Sequence, residues 1–407
     1  MLKVIFSRRM LVSFIMGFGC GLPLLLTSTV LQAWMKDVGM DLTVIGLMAL
    51  VGLPYTLKFL WAPFFDRYTI SLVGRRRGWL LLAQSALVVS IAALGFTDPS
   101  GNPTVMVLAA VLVTFFSASQ DIVVDAYRRE DLADEELGLG SSFYINGYRF
   151  GMLLASGGGL ILADYLSFTM VYLIMAACML PGIVTTLLTP EPMASAGTPK
   201  TLREAIVEPL VEYFSRENAI LILAFVLLYK IGDTMASAIT TPFYLDIGFS
   251  KTEIGAVVKL FGFWATIAGS LIGGVLMLRI GINRSLWIFG FLQAISTAGF
   301  AILARIGHSL PALSGVIAFE NLTAGMGTAA YAAFMASLTN RKFTATQYAL
   351  LSSLMGVPRV LASAPTGYFA THMGWESFFI FCVVSALPGM MLLLKFAPWD
   401  PKGLEKA

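Results

Sequence analysis

Apolar stretches long enough to cross a membrane recur along almost the whole chain. A bilayer is crossed by a helix of about 20 mostly apolar residues, because a helix satisfies its own backbone polar groups. Hydrophobic side chains make up 57% of the 407 residues and charged ones only 13%, which is too apolar for a soluble domain. The sequence therefore predicts an all-α polytopic membrane protein with twelve spanning helices. The predicted spans are 10–31, 43–64, 79–96, 103–125, 140–163, 168–188, 219–243, 252–277, 284–303, 310–338, 347–370 and 375–396.

The basic side chains outside these spans fall mostly on one side of the membrane. With both termini in the cytoplasm, 19 of the 27 Lys and Arg residues are cytoplasmic, 3 lie on the opposite side and 5 within the spans. This asymmetry is what the positive-inside rule predicts for a correct topology. The first apolar run continues to Leu31, longer than the apolar core of a signal peptide, so we expect a spanning helix there and not a removed leader.

The two halves of the sequence match each other at a nearly constant shift, so that six spans recur in the same orientation. Such a repeat is typical of the major facilitator fold, in which two six-helix bundles hold a substrate site near the midplane. We predict an N-terminal bundle over 1–190, a cytoplasmic linker over 191–218 and a C-terminal bundle over 219–407. The matched positions are Gly46 and Gly255, Gln84 and Gln293, Arg149 and Arg359, and the Leu-Pro-Gly triplets at 180–182 and 387–389.

The linker carries the sequence pattern of a short amphipathic helix. Thr201 and Glu204 have the spacing of a capping box, and apolar residues follow at helical spacing. Such a helix would lie on the cytoplasmic membrane face or pack against neighbouring loops, and the sequence favours neither arrangement.

Nine charged side chains lie inside the predicted spans. A charge near the bilayer centre costs at least about 2.5–3.5 kcal/mol, so these residues must face one another or a wet cavity. The pattern predicts a transporter with a charged central path, and the excess of one cation suits a substrate that bears carboxylates. The nine residues are Lys58, Arg149, Lys230, Lys259, Arg359, Asp121, Asp125, Asp233 and Glu320.

Asp121 and Asp125 are four residues apart in the fourth span and therefore share one helix face. Two buried carboxylates disfavour each other's ionised form, so we expect one of them to load and release a proton. Arg149 in the fifth span is the expected partner, neutralising an aspartate or holding a substrate carboxylate in turn. In the alternative, Asp125 only caps the helix or pairs with Arg128 or Arg129.

The loop between the second and third spans contains Asp66 and Arg67, then Arg75 and Arg76 within a Gly-Arg-Arg-Arg-Gly element. This pattern resembles the cytoplasmic signature of the major facilitator superfamily. The predicted role is a latch, in which the carboxylate binds arginines and a helix terminus in one conformation and releases them in another. The alternative is anchoring of the loop by positive charge alone.

Eleven residues are predicted to bind substrate, because they place charged, aromatic and amide groups within spans. Lys230 and Asp233 also fit a local ion pair that cancels itself. With two histidines, no clustered ligands and no nucleotide or nucleophile motif, we expect no metal, no cofactor, no nucleic-acid partner and no enzymatic activity. The eleven are Tyr55, Lys58, Gln120, Tyr148, Arg149, Lys230, Asp233, Lys259, Glu320, Asn321 and Arg359.

Several polar motifs within apolar spans resemble those of the AmpG-type muropeptide permeases, a group within the major facilitator superfamily. The likeness covers nearly the whole chain. The motifs that carry it are Gly21-Leu-Pro23, Leu31-Gln-Ala-Trp34, Gly52-Leu-Pro-Tyr-Thr-Leu-Lys58, Asp66-Arg-Tyr68, Gly74-Arg-Arg-Arg-Gly-Trp79, Ser117-Ala-Ser-Gln-Asp-Ile122, Gly147-Tyr-Arg149, Tyr229-Lys-Ile-Gly-Asp233 and Phe319-Glu-Asn321.

The resemblance implies proton-driven import of N-acetylglucosaminyl-1,6-anhydro-N-acetylmuramyl peptides across the inner membrane of a Gram-negative cell. Their return would supply peptidoglycan recycling after cell-wall turnover and, in some bacteria, β-lactamase induction. A monomer in the lipid bilayer, powered by the proton gradient alone, is expected. Some members of the group carry two further C-terminal membrane helices, and we expect this shorter chain to contain a complete transporter core.

Two other functions remain open at the level of sequence. The cargo of a proton-coupled transporter could be another anionic sugar, a peptide or an acylated cofactor. In the other alternative, the protein binds muropeptide as a sensor without moving it, and its intramembrane charges form fixed ion pairs.

Overall fold

The computed structural model describes residues 5–40, 48–70, 73–192, 199, 201–250, 253–362, 365–397 and 399. Every regular element within these ranges is a helix, which confirms the all-α prediction. Helical residues cover the described part of each of the twelve predicted spans, although several spans are divided into shorter helices. Gly46 of the predicted repeat lies outside the described residues.

Seven helical stretches among the described residues are long and apolar enough to cross a membrane. The remaining helices are shorter, interrupted or less apolar. The seven are Arg8–Asp37, Arg75–Gly95, Pro103–Asp131, Phe168–Leu188, Ala219–Asp246, Ala256–Ile306 and Trp375–Phe396. The others include Leu53–Leu57, Ala62–Arg67, Leu137–Leu153, Gly159–Ala163, Leu202–Phe214, Leu310–Leu338, Thr344–Leu354, Gly356–Leu361 and Thr366–Met373.

The stretch Ala256–Ile306 contains two predicted spans and a kink between them. Gly281 has φ 79° and ψ 167°, a conformation open to glycine but costly for residues with a Cβ. The chain therefore changes direction between the predicted spans 252–277 and 284–303, as their separation requires.

Within the described ranges, three segments are π-helical and adjoin α-helices: Leu26–Val30, Leu154–Gly158 and Ile254–Phe261. The first follows Pro23, whose ring and missing N–H disturb the hydrogen-bond ladder of the preceding helix. Lys259 lies in the third of these segments. At π-helical turns the spans depart from ideal α-helix geometry, and such turns are often found at functional sites.

The chain divides into two compact units. Unit one contains 1–134, 143–210 and 338–353, and unit two contains 135–142, 211–337 and 354–407. The core of unit one includes Leu22, Ile91 and Met175, and that of unit two is rich in aromatic side chains such as Phe243 and Phe379. The predicted division at the 191–218 linker stays a prediction.

The linker helix is Leu202–Phe214, and its first turn is capped as the capping box predicts, with Glu204 N donating to Thr201 Oγ1 at 3.0 Å. Lys342 Nζ binds the carboxylates of Glu208 and Glu204, each at 3.0 Å, and these hydrogen bonds raise the pKa of Lys342. One face of the helix is therefore packed on a neighbouring loop, one of the two predicted arrangements.

Glycines bring helices of the same unit into backbone contact. A Cβ atom at Gly17 would overlap the carbonyl oxygen of Tyr144, and one at Gly147 would overlap that of Phe14. In unit two, a Cβ at Gly325 would overlap the carbonyl oxygen of Thr266. Only glycine allows backbones to approach this closely, so these positions serve helix packing.

We predict that Gly325→Ala destabilises the protein while Gly315→Ala does not. Both glycines belong to the helix Leu310–Leu338, but a Cβ at Gly315 meets no atom within 4 Å. Overpacking at Gly325 should cost about 1–3 kcal/mol. Alanine at Gly315 should be neutral or stabilising by about 0.5–1 kcal/mol, because glycine disfavours helices. Thermal melting of the purified protein in detergent measures both, and equal melting temperatures would contradict the close contact.

Candidate functional site

A buried ionic network surrounds Asp66 at the end of the helix Ala62–Arg67. Arg76 Nη2 lies 2.8 Å from Asp66 Oδ1 and 2.6 Å from Glu130 Oε1, and its Nη1 donates to the carbonyl of Phe65 at 2.9 Å. Arg75 Nη2 binds Glu130 Oε1 at 2.8 Å. Because Asp66 and Arg76 are both fully buried, each charge depends on its partners for compensation.

Asp66 also binds the N-terminus of the helix Thr344–Leu354, which belongs to the same unit. Its carboxylate accepts from Ala345 N at 3.2 Å, from Thr346 N at 2.8 Å and from Thr346 Oγ1 at 2.7 Å. Free N–H groups and the helix dipole make this end of a helix a good site for an anion. These are the two kinds of partner that the latch hypothesis requires, and the gating role itself stays a prediction.

Arg67, the remaining latch residue, and Glu191, an acid that was not predicted, lie nearby. The Arg67 guanidinium lies over the ring of Tyr68, 5.3 Å from its centroid. Glu191 accepts from Arg76 N at 2.6 Å and from Arg77 N at 3.0 Å, so it caps the helix Arg75–Gly95. Sequence reasoning missed Glu130, although it follows Arg128 and Arg129 near the predicted cytoplasmic end of a span, and it missed Glu191, which has no arginine near it in the sequence. Residues 71–72 of this loop lie outside the described part of the chain.

A second buried polar cluster lies in unit one around Asp121 and Asp125 of the helix Pro103–Asp131. The two residues are 6% and 4% exposed, and Lys58 is 7% exposed. The positive charge of Lys58 acts on both carboxylates, and Asp121 also feels the charge of Asp125. The structure therefore brings three of the predicted site residues together.

Asp125 has a second cation. Its Oδ1 accepts from Arg128 Nη2 at 3.1 Å, and the same nitrogen lies 3.0 Å from Tyr348 Oη. Arg128 also lies over the Tyr144 ring, 4.7 Å from its centroid. The alternative in which Asp125 pairs with Arg128 is thus the arrangement observed.

Asp121 and Gln120 carry buried oxygens with no hydrogen-bond donor among the described residues, Asp121 Oδ1 and Gln120 Oε1. A buried polar atom left without a partner costs about 1–3 kcal/mol. Such atoms in a protein that is otherwise well packed mark a place for a proton, a water molecule or a ligand group. Of the two aspartates, Asp121 is therefore the better placed to take up a proton.

Tyr148 and Arg149 lie half-buried in the helix Leu137–Leu153. The ring of Tyr148 lies 6.1 Å from that of Tyr144, which covers Arg128. Tyr55 lies in the middle of the predicted second span, in the helix Leu53–Leu57, and the charge of Asp121 acts on its hydroxyl. The exchange of Arg149 between the aspartates and a substrate stays a prediction.

Unit two has its own charged cluster. Lys230 Nζ lies 3.4 Å from Asp233 Oδ2 and donates to Thr328 Oγ1 at 2.8 Å. Glu320, 7% exposed, accepts from Ser296 Oγ at 2.5 Å, and the charges of Asp233 and Lys230 both act on it. The predicted local ion pair is therefore present, and Glu320 lies in the same unit.

The other predicted substrate residues are more scattered. Asn321 accepts from Thr266 Oγ1 at 2.9 Å, which joins two helices, and donates to the carbonyl of Ile317 in its own helix at 3.0 Å. Lys259 is exposed, and the side chain of Arg359 in Gly356–Leu361 lies outside the described residues. Within the described ranges, no group of three or more His, Cys, Asp or Glu residues could hold a metal ion.

Comparison with known proteins agrees with this architecture. The anhydromuropeptide permease of Escherichia coli K12 is 46% identical over 395 residues, 97% of this chain and 80% of the relative. A protein of Haemophilus influenzae is 43% identical over 406 residues, 97% of this chain and 96% of its own length.

The fold matches solved transporters at low sequence identity. The proton:xylose symporter XylE has a TM-score of 0.73 at 12% identity, covering 98% of this chain and 96% of XylE. The human organic anion transporter MFSD10 has a TM-score of 0.66 at 17% identity, covering 96% of this chain and 98% of that one. The sequence model described as Major Facilitator Superfamily matches residues 10–303 and 228–407. This chain therefore belongs to the major facilitator superfamily and is a multi-pass membrane protein.

Proposed function

We propose that this protein imports anhydromuropeptides across the inner membrane by proton symport. The observation that carries the proposal is the buried cluster of Lys58, Asp121 and Asp125, in which Asp121 Oδ1 has no hydrogen-bond donor among the residues that the structure describes. The 46% identity to a permease named for anhydromuropeptides supports the choice of cargo. Such a cargo is bulky, rich in hydroxyls and amides, and anionic, which suits a site with a cation and polar neighbours.

Charge balance in unit one suggests how cargo and proton are coupled. With both aspartates ionised, Lys58 and Arg128 compensate them and the cluster is neutral. A cargo carboxylate that binds Lys58 withdraws this compensation from Asp121. A proton on Asp121 then restores neutrality, because an uncompensated buried charge is costly. Cargo anion and proton therefore bind together, as symport requires.

The Asp66 network is proposed to control a conformational step. Breaking a buried ionic contact leaves an uncompensated charge, which is costly. The segments joined by the Asp66 network therefore separate only when Asp66 gains other partners or water. The helix terminus at Thr344–Leu354 and the guanidinium of Arg76 are the elements that Asp66 holds in this conformation.

The proposed cellular setting follows from the cargo. The protein would lie in the inner membrane with both termini in the cytoplasm, act as a monomer and need no cofactor besides the proton gradient. Imported fragments would supply peptidoglycan recycling and, in some bacteria, β-lactamase induction.

We predict that Asp121→Asn abolishes accumulation but preserves exchange. In proteoliposomes with an inward proton gradient, the wild type should concentrate radiolabelled N-acetylglucosaminyl-anhydromuramyl tripeptide above equilibrium. The asparagine cannot carry a proton, so the variant should show counterflow without accumulation. Asp37→Asn, at an exposed helix end, is the control and should behave as wild type.

Two results would contradict these assignments separately. Normal accumulation by Asp121→Asn would remove Asp121 from the coupling mechanism. The proposed cargo would be wrong if the wild type takes up no tripeptide but exchanges another anionic sugar, a peptide or an acylated cofactor. Saturable tripeptide binding without any counterflow would indicate a sensor.

Replacing Lys58 should weaken cargo binding. In Lys58→Gln the predicted cargo carboxylate loses a charged partner, which is worth about 1.5–3 kcal/mol, so KM should rise about tenfold or more. Lys36→Gln, which removes an exposed lysine, is the matched control. Initial uptake rates over a range of tripeptide concentrations measure the effect, and an unchanged KM in Lys58→Gln would exclude the contact.

Asp66→Asn should loosen the start of the helix Thr344–Leu354. The amides of Ala345 and Thr346 lose an ionised acceptor, so their hydrogen–deuterium exchange should become about tenfold faster or more. Asp246→Asn, which alters only the acceptor of Trp375 Nε1, is the control and should leave this segment unchanged. Thr346→Ala should give a smaller change in the same direction. Unchanged exchange in both variants would refute the contact.

A further inference from the structure

The linker helix Leu202–Phe214 has two faces of different character. On one face Ala205 is fully buried, and Lys342 binds the helix through two glutamates. The other face is apolar and exposed over its whole length. The exposed residues follow one another at the spacing of helix turns, so they form a single stripe. They are Ile206, Val207, Leu210, Val211 and Phe214.

The predicted second span carries an exposed apolar stripe of the same kind. Its members recur every three or four residues, as one side of a helical segment does. In a protein that crosses a membrane such a stripe faces lipid, because lipid chains are as apolar as leucine side chains. The stripe consists of Leu53, Leu57, Leu60 and Phe64.

A cavity of about 250 Å³ in unit one borders both stripes. One water molecule needs only about 10–15 Å³, so the cavity has room for a much larger group. Leu60, Ile206 and Leu210 line the cavity and are also exposed, so the cavity opens onto the surface that faces lipid. The other apolar residues of the lining are Phe59, Pro63, Pro209 and Leu350.

The two polar side chains of the lining make their hydrogen bonds to the protein. Thr346 Oγ1 donates to Asp66 Oδ2 at 2.7 Å. Gln347 Nε2 donates to the carbonyl of Pro209 at 3.1 Å, and its Oε1 accepts from Asn340 N at 2.7 Å. A polar molecule, such as a cargo rich in hydroxyls and carboxylates, would lose hydrogen bonds to water here and gain few. The lining therefore favours an apolar occupant.

We propose that this cavity holds an acyl chain of a phospholipid from the cytoplasmic leaflet, and that the linker helix lies in the interface of that leaflet. Arg203 is exposed and precedes Ile206 by three residues and Leu210 by seven, so it shares their face. Its long side chain reaches toward the lipid phosphate while the apolar residues stay among the acyl chains. The site does not depend on the identity of the cargo or on proton coupling.

Photolabelling of the full-length protein in vesicles of phosphatidylethanolamine and phosphatidylglycerol tests the proposal. The probe is a phosphatidylglycerol with a diazirine on one acyl chain, and labelled peptides are identified by mass spectrometry. The segment 346–350 is the informative one, because Thr346 and Gln347 are 7% and 2% exposed and bulk lipid does not reach them. The wild type should be labelled in this segment as well as on the two exposed stripes.

A variant that fills the cavity separates the site from general contact with lipid. Leu210→Trp places a larger apolar side chain in the cavity, so the segment 346–350 should lose most of its label. Leu53→Trp is the matched control, since Leu53 is an exposed leucine outside the cavity lining. This control should keep the wild-type labelling. If Leu210→Trp does not fold, Ile206→Trp makes the same test from another exposed position of the lining.

Three results would overturn the proposal. The first is a wild type labelled on the exposed stripes but not in the segment 346–350. The second is equal labelling of this segment in the folded cavity variant and in Leu53→Trp. The third is loss of the label when the N-acetylglucosaminyl-anhydromuramyl tripeptide is added, which would assign the cavity to the cargo.

Discussion

The constraint on which the rest of this structure depends is the cost of an uncompensated charge in an apolar environment. Arg76 is the clearest case, since its fully buried guanidinium binds Asp66, Glu130 and the carbonyl of Phe65. Asp66 in turn holds the start of the helix Thr344–Leu354. A buried ion pair of this kind adds little net stability compared with apolar packing, but breaking it is costly. A buried ionic network therefore suits a contact that holds one conformation and is released as a whole.

The same constraint separates the two intramembrane clusters. In unit one, the buried Asp125 pairs with Arg128, and Lys58 lies buried in the same cluster. In unit two, Lys230 pairs with Asp233, while the buried Glu320 accepts from Ser296 Oγ. Each cluster thus compensates its buried charges with a different set of partners.

Sequence alone predicted the helices well, because spanning a membrane depends on the apolar character of about 20 consecutive residues, which is a local property. Where the helices break was not predicted: the second span, 43–64, contains several short helices, and the π-helical turn Ile254–Phe261 depends on neighbours. Likewise, spacing placed Asp121 and Asp125 on one face, but their different cations depend on tertiary structure.

The contacts that sequence could not predict are those between distant positions. Asp66 and Thr346 are 280 residues apart, and Lys230 and Thr328, whose side chains are hydrogen-bonded in unit two, are 98 residues apart. The Gly-Arg-Arg-Arg-Gly element indicated a latch, yet its acid Glu130 lies beyond the predicted end of the fourth span at 125. The observed helix continues to Asp131, which carries Glu130 into the network.

This longer helix links the cluster of Asp121 and Asp125 to the ionic network around Asp66. Pro103–Asp131 carries Asp121, Asp125, Arg128 and Glu130 on one rigid element. Arg128 bridges Asp125 to Tyr348, less than one turn beyond the amides that bind Asp66. A change of charge on Asp125 would therefore alter the contact of Arg128 with Tyr348, and hence the contacts of the helix Thr344–Leu354. Coupling through such packed, charged contacts needs two discrete arrangements of one element, and Arg128 bound to both Asp125 and Tyr348 would be one of them.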